Sequence, residues 1–539
     1  MNKRLLFIAI IIFSIIPVVS LLHGGLPITH DGKDQVARIA NFYINLKDGN
    51  LIPRWAPNLN WGYGHPILEF LYPLPSYLAS FFHFFGLSFI DSAKVVFALG
   101  MILSLIFMYM WLSLFLGEFP ALFGAILYVY APYRFIDLYV RGDIGENLAF
   151  VFMPLTLYFI YKLYKSNNYK FLVPGGISLA FLILAHNAVA LMFIPFIIFY
   201  CFYLIIISKD KKFLISHFSF LIFLGFSLSA FFWIPGLLEG KYTLRNIVTA
   251  GGYLDSFVNF KELVYGQWSY GGNGEFTVQL GIIQWFSLIV SPFIFYFNKK
   301  KKNRILILSL IVYTLCALFI MFPVSNFLWK RIMLLQNFQF SWRFLTITVF
   351  STAVLGALFL NAVSNKYKKF AFVMLILVIL FFSRNYWHAN GYLSKPDSFF
   401  AGIYSGTTDT GESAPIWSVR FMGKEPKAFM QIINGKANIQ VIDRSATNHL
   451  YKVVALNKTR LVENTLYFPG WEVLVDNKPV SVQFQDPRYR GLMTFYVAKG
   501  THFVDIKFEE TKLRLISDWI SIFTIFFVLA FSGVWFVRR

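Results

Sequence analysis

The stretch Ile28–Tyr43, ITHDGKDQVARIANFY, carries His30, Asp31 and Asp34 just past the end of an apolar run. A carboxylate in such a place can take a proton from a hydroxyl, and nearby cations can hold a departing phosphate. The loop Ala131–Phe150, APYRFIDLYVRGDIGENLAF, adds Arg134, Asp137, Arg141, Asp143 and Glu146. LAHNA at Leu184–Ala188 supplies His186 and Asn187, and NFQFSWRF at Asn337–Phe344 supplies Arg343. Taken singly, each suits an interfacial anchor or a loop ion pair. Their company, where charge is scarce elsewhere, points to one site. Asp31 is expected to act as general base with Asp34 as its local rival, and Arg141, His186 and Arg343 to hold phosphate.

The elements that must position these groups belong to a membrane. Of the 539 residues, 57% are hydrophobic and only 14% charged, about half the charge of a soluble chain. The net charge of +21 lies in short runs such as NKKKKNR (Asn298–Arg304), SKDKK (Ser208–Lys212) and NKYKK (Asn365–Lys369), each between apolar stretches. That is a topology signal, with basic loops kept inside, and it argues against a nucleic-acid partner. Cys201 and Cys316 both fall in apolar segments and supply neither a disulfide framework nor a cysteine metal site.

Apolar windows predict twelve spans, at roughly 5–22, 92–116, 119–133, 146–163, 171–187, 188–207, 214–235, 278–297, 305–322, 344–363, 370–384 and 514–536. Pro66–Gly86 is apolar but proline-rich, and is expected to lie against the outer face. The first span reads as an uncleaved anchor. With both termini cytoplasmic, Lys165/Lys170, Lys209–Lys212, Lys299–Lys302, Lys366–Lys369 and Arg538/Arg539 fall inside, and the loops 23–91, 236–277 and 323–343 outside. The polar block 385–512 follows, also outside. There Ala437–Asp443, Tyr451–Leu456, Trp471–Phe484 and Met493–Phe508 alternate apolar and polar residues, with turn signals at Asp476-Asn477 and Lys499-Gly500. The predicted architecture is a polytopic α-helical membrane domain over 1–384, an extracytoplasmic antiparallel β-sandwich-like domain over 385–512, and a membrane anchor over 513–539.

The order of these pieces resembles the GT-C superfamily of membrane glycosyltransferases. More closely, THDGKDQ, the long Leu51–Leu78 run, YAPYRFIDLYVRGDIGENLAF, LAHN and NFQFSWRF resemble the bacterial membrane proteins called 6-pyruvoyl-tetrahydropterin synthase-related. YFPGWEVLVDNKPV (Tyr467–Val480) is similar to the outer β domain of YfhO-like proteins. The GT-C resemblance implies inverting transfer of a sugar from a polyprenyl-phosphate donor to a cell-envelope glycan or lipid acceptor, and matches the superfamily's outer-loop Asp to Asp31. Relatives that use a metal carry an acidic pair in the loop after the third span. Asp143 and Glu146 stand there without the tight Asp-x-Asp spacing, so a divalent cation, Mg or Mn, is implied by resemblance alone. Two other classes stay open: a transporter or flippase of a lipid-linked glycan, and a non-catalytic scaffold presenting the β domain. An internal repeat with paired broken helices would mark the first, and dispensability of Asp31 the second.

Overall fold

The computed structural model describes residues 3–271 and 276–537. Among them, eight helices are long and apolar enough to cross a membrane, from Arg4–Leu22 to Lys512–Ala530. A ninth crossing is broken: Glu118–Val129 and Pro132–Arg141 meet at a bend of 48°. Tyr169–Ala185 and Ile282–Phe297 are shorter apolar helices, and Asn365–Ser383 completes the set of segments read as spans. Arg538 and Arg539 lie outside the described residues.

The body closes by tight helix packing. Phe89–Ser113 lies along Ile144–Ser166, with Gly100 facing Asn147, whose side-chain amide donates to the Phe97 carbonyl at 2.9 Å. A Cβ at Gly124 would lie 2.8 Å from Ala357, so Glu118–Val129 and Leu345–Ala362 approach at near-backbone distance. Small residues at such contacts let helices associate where lipid gives no hydrophobic drive.

The bend at the broken crossing builds the site. Pro132 has no amide proton and biases Ala131 toward extended backbone, where it sits at ψ 140°. The chain restarts as Pro132–Phe135, runs into the π-helical turn Ile136–Arg141, reverses at Gly142 (φ +71°), and re-enters as Ile144–Ser166, capped by the Asp143 carboxylate. The stretch predicted as an outer loop is thus mostly helical and buried. Arg134, Asp137, Arg141, Asp143 and Glu146 are all buried, where their charges must be paired.

Ten strands are present among the described residues. The short β1 (Leu26–Pro27) and β2 (Tyr392–Leu393) pair antiparallel, joining the chain after the first span to the chain before the β block. Then follow β3 (Met430–Asn434), β4 (Ala437–Arg444), β5 (Asn448–Ala455), β6 (Thr459–Leu466), β7 (Trp471–Val475), β8 (Lys478–Pro479), β9 (Leu492–Val497) and β10 (Gly500–Phe508). They make a five-stranded sheet, β4-β5-β10-β7-β8, and a three-stranded sheet, β3-β6-β9, with one shared core around Tyr451, Leu461, Val473, Phe495 and Val504. Asp476 and Asn477 make the tight β7–β8 turn at positive φ.

Two strand expectations are corrected. The run 493–508 is not one hairpin, because β9 pairs with β6 while β10 pairs with β5 and β7, so Lys499-Gly500 carries the chain between sheets. The run 471–484 keeps ladder pairing only to Pro479, with one isolated bridge at Gln483. β3 and β6 escaped the alternation test. β6 is buried at every position, so it never alternates.

Trp55, Tyr63 and Phe70, from the first loop, insert into the sandwich core. Arg54 pairs with Glu510 (2.9 Å) and Asp518 (2.6 Å), while Arg514 pairs with Glu239 (2.6 Å) and Glu69 (3.0 Å). These contacts lock the last helix and the chain just before it to the first loop and to the segment after Ala230–Leu238.

Candidate functional site

A cavity of about 840 Å³ opens where the first loop, the broken crossing, the Asn187–Ile207 helix, the loop before Leu345–Ala362 and the segment after β2 meet. Asp31, Asp34, Arg141, Asp143, His186 and Arg343 all line it. Glu146 does not; it lies behind Arg141. These residues, singled out by type and spacing, come from four separate stretches of chain.

Asp31 is the N-cap of helix Gly32–Lys47, and its backbone amide donates to the Arg141 carbonyl at 2.7 Å. Its carboxylate makes no hydrogen bond or ion pair among the described residues. The side chain is solvent-accessible because the cavity reaches it, yet protein encloses its other sides. Burial pushes this carboxyl above the usual carboxylate range, and Arg141 pulls it back only in part. Desolvation outweighs the opposing pull of the arginine. A base tuned upward transfers protons better near neutral pH than an ordinary aspartate.

Asp34 differs. Its Oδ1 accepts from the Tyr404 hydroxyl at 2.5 Å, which ties the helix to the segment after β2. Of the two rivals, Asp31 keeps its lone pairs free.

Arg141 lines the cavity with its charge already engaged by acids. Nη1 donates to Asp137 Oδ1 (2.5 Å) and Glu146 Oε2 (2.7 Å), Nη2 donates to Asp143 Oδ2 (2.8 Å), and the guanidinium lies over the Trp342 ring at 4.6 Å. Three buried acids consume one guanidinium. Expected as a phosphate ligand, Arg141 is paired here with the acids of the broken crossing. Arg134, fully buried over the Phe150 ring at 3.9 Å, adds positive charge close by.

His186 is both C-cap of Leu172–Ala185 and N-cap of Asn187–Ile207. Its Nδ1 accepts from the Val189 amide at 3.2 Å, so the ring proton sits on Nε2, 3.7 Å from Asp143 Oδ2. Tyr72 stacks on the ring at 4.8 Å, and its hydroxyl donates to Asp143 Oδ1 at 3.2 Å.

Asp143, Glu146 and His186 each have a donor atom within 4.8 Å of the others, the spacing of a metal centre. As placed, they do not fit one. A metal on Nε2 would move the ring proton to Nδ1, against the Val189 amide, and the carboxylates facing His186 already receive Arg141. Glu146 Oε1 additionally accepts from Tyr133 (2.9 Å) and Thr346. The internal guanidinium fills the place of a cation.

Arg343 is the sequence-derived cation left open. Nη1 donates only to the Phe338 carbonyl (3.3 Å), Nε has no partner, and no carboxylate pairs with it among the described residues. Arg38 and Arg245, which the sequence reading missed, also line the cavity without an ion pair among the described residues. Helical spacing could have found Arg38, seven residues beyond Asp31 on the same face. Nothing local marks Thr408, Asp409, Thr410 and Glu412, which reach the cavity from beyond β2.

The family described as "6-pyruvoyl-tetrahydropterin synthase related domain; membrane protein" matches residues 68–389. An uncharacterized protein of Lactococcus lactis subsp. cremoris (strain MG1363) is 28% identical over 341 residues, 60% of this chain and 54% of that protein, so the chain spans about half the length of this relative. Among solved structures, the chain is similar to the apo oligosaccharyltransferase of Archaeoglobus fulgidus, at 14% identity and TM-score 0.48, over 77% of this chain and 61% of that one. It is similar to the arabinofuranosyltransferase AftD from Mycobacteria (13%, TM-score 0.45, 71% of this chain and 28% of that one). It is also similar to ArnT from Cupriavidus metallidurans bound to undecaprenyl phosphate (13%, TM-score 0.33, 67% and 78%).

Proposed function

This chain belongs to the 6-pyruvoyl-tetrahydropterin synthase-related family of membrane proteins, and we propose that it is a glycosyltransferase. It moves a sugar from a polyprenyl-phosphate donor to a cell-envelope acceptor, on the face of the membrane that carries the β block. One observation carries the reading: a carboxylate, Asp31, and a cation, Arg343, share a cavity, and neither has an ion partner among the described residues. The cavity's far wall is apolar and includes Leu191, Leu237 and Leu334, all exposed on the outside of the body. A polyprenyl chain can leave along that wall into lipid while its phosphate stays at Arg343.

In the proposed reaction the acceptor hydroxyl attacks the anomeric carbon as the bond from that carbon to the phosphate oxygen breaks. Asp31 takes the hydroxyl proton, and polyprenyl phosphate leaves with its negative charge held by Arg343. The Asp143–His186–Tyr72 group shapes the cavity wall, and Arg141 keeps the acids beneath it neutralised. No step here runs through a metal. The test is transfer from defined polyprenyl-phosphate sugars by purified protein. Wild type is expected to turn over, and Asp31→Asn to lose about 10²–10⁴-fold in rate while still binding donor. Full activity of Asp31→Asn would end this reading.

A further inference from the structure

Helix Gly32–Lys47 and its cap turn one stripe toward the cavity: Asp31, Asp34, Gln35 and Arg38, at i, i+3, i+4 and i+7. The middle two are engaged, Asp34 by Tyr404 and Gln35 by Arg38 and Tyr72. The two ends remain for substrate.

Arg38 is buried, 5% exposed, and meets no acid within ion-pair distance among the described residues. Nη1 donates to Gln35 Oε1 at 2.9 Å, Nε to Thr408 Oγ1 at 3.4 Å, and Nη2 to the Thr408 carbonyl. Those contacts fix the plane of the guanidinium and leave about two of its five N–H groups free. A buried cation held only by neutral acceptors gains most when an anion arrives.

Thr408 is built for this contact. Its φ is +64°, a left-handed conformation that a β-branched residue avoids. In that conformation both its carbonyl and its hydroxyl meet Arg38.

We propose that Arg38 binds the phosphate of the lipid-linked donor beside Asp31, and that Thr408, from the polar block 385–512, is the residue that positions it. The inference rests on the glycosyltransferase reading and sharpens it. The block 385–512 is then a participant in the donor site.

The test uses the purified full chain in detergent, titrated with a polyprenyl phosphate and followed by tryptophan fluorescence, since Trp233 and Trp342 line the cavity. Arg38→Gln is expected to raise Kd about ten- to hundredfold, and Arg38→Lys by less. Thr408→Gly keeps the carbonyl and accepts positive φ but loses the hydroxyl contact, so its Kd should rise by less than that of Arg38→Gln. Thr408→Pro, with φ fixed near −65°, should raise Kd as Arg38→Gln does, and combining the two should add nothing. Thermal unfolding of each variant identifies any that fail to fold, and if Thr408→Pro fails, the Gln and Lys variants of Arg38 decide. If Arg38→Gln binds as wild type does while Arg343→Gln loses binding, this inference is overturned and the function stands. If Arg38→Gln merely melts earlier with Kd unchanged, Arg38 is structural and the inference is again overturned. If wild type shows no saturable binding, both fall.

Discussion

Replacing Arg141 with lysine tests the central electrostatic feature of the site. Its fork reaches Asp137, Glu146 and Asp143 at 2.5, 2.7 and 2.8 Å, and all four residues are 5% exposed or less. With Arg134 included, the cluster carries three acids against two guanidiniums. An ammonium is a single point charge on a flexible stem and cannot hold three acids in a fixed fork. At least one carboxylate therefore loses its counter-charge in a buried place. Losing one partner of a buried pair costs about 3–5 kcal/mol. Arg141→Lys should accordingly lower the thermal midpoint of the purified protein sharply, and Arg141→Lys with Asp137→Asn should recover part of the loss. Polyprenyl-phosphate binding, measured at a temperature where the variant is folded, should change little. The opposite pattern, wild-type stability with lost lipid-phosphate binding, would refute the neutralising role and restore Arg141 as a phosphate ligand.

Three further outcomes are expected. Transfer should fall as pH drops through the Asp31 pKa, with its acid midpoint above the usual carboxylate range, because the base must be ionised; Asp34→Asn, whose amide oxygen can still accept from Tyr404, should leave that pH–rate profile in place. Glu69, pushed up to about 8 by burial against the pull of Arg514 and with Glu239 beside it, holds its proton more tightly folded than unfolded, so stability present below about pH 4.5 should decline as pH rises to about 8. Thermal midpoints should show that decline in wild type and lose it in Glu69→Gln. Gly142→Ala would put a Cβ 2.2 Å from Thr29 Oγ1 at φ +71°, and a variant that folds as well as wild type would contradict the tight turn that aims Arg141 and Asp143.

Much of the machinery was legible in the chain. The scarcity of charge announced a membrane protein, and of the ionisable groups near predicted span ends, Asp31, Asp34, Arg141, Asp143, His186 and Arg343 line one cavity while Arg134, Asp137 and Glu146 do not. Asp476-Asn477 marked a real turn because the two positive φ values it needs favour those residue types. The APYRF stretch was misplaced for a local reason. Pro132 looks like an exit from the helix, yet the chain bends by 48° and stays inside, where neighbouring helices satisfy the groups it frees.

What the sequence determined by itself was the class of solvent each segment meets and the face each residue presents on its own helix or strand, since both follow from hydropathy and from the periods of 3.6 and 2 residues. That is why Asp31 could be nominated. Only the closed structure decided which charges face one another. Arg141 and Arg343 read alike in the chain, but one is consumed by three acids and the other faces the cavity without an ion partner among the described residues. Arg38 meets Thr408 across 370 residues. Contacts at that separation leave no period in the chain, because they exist only once the helices and the sandwich have packed and removed the water that would otherwise have paired those groups.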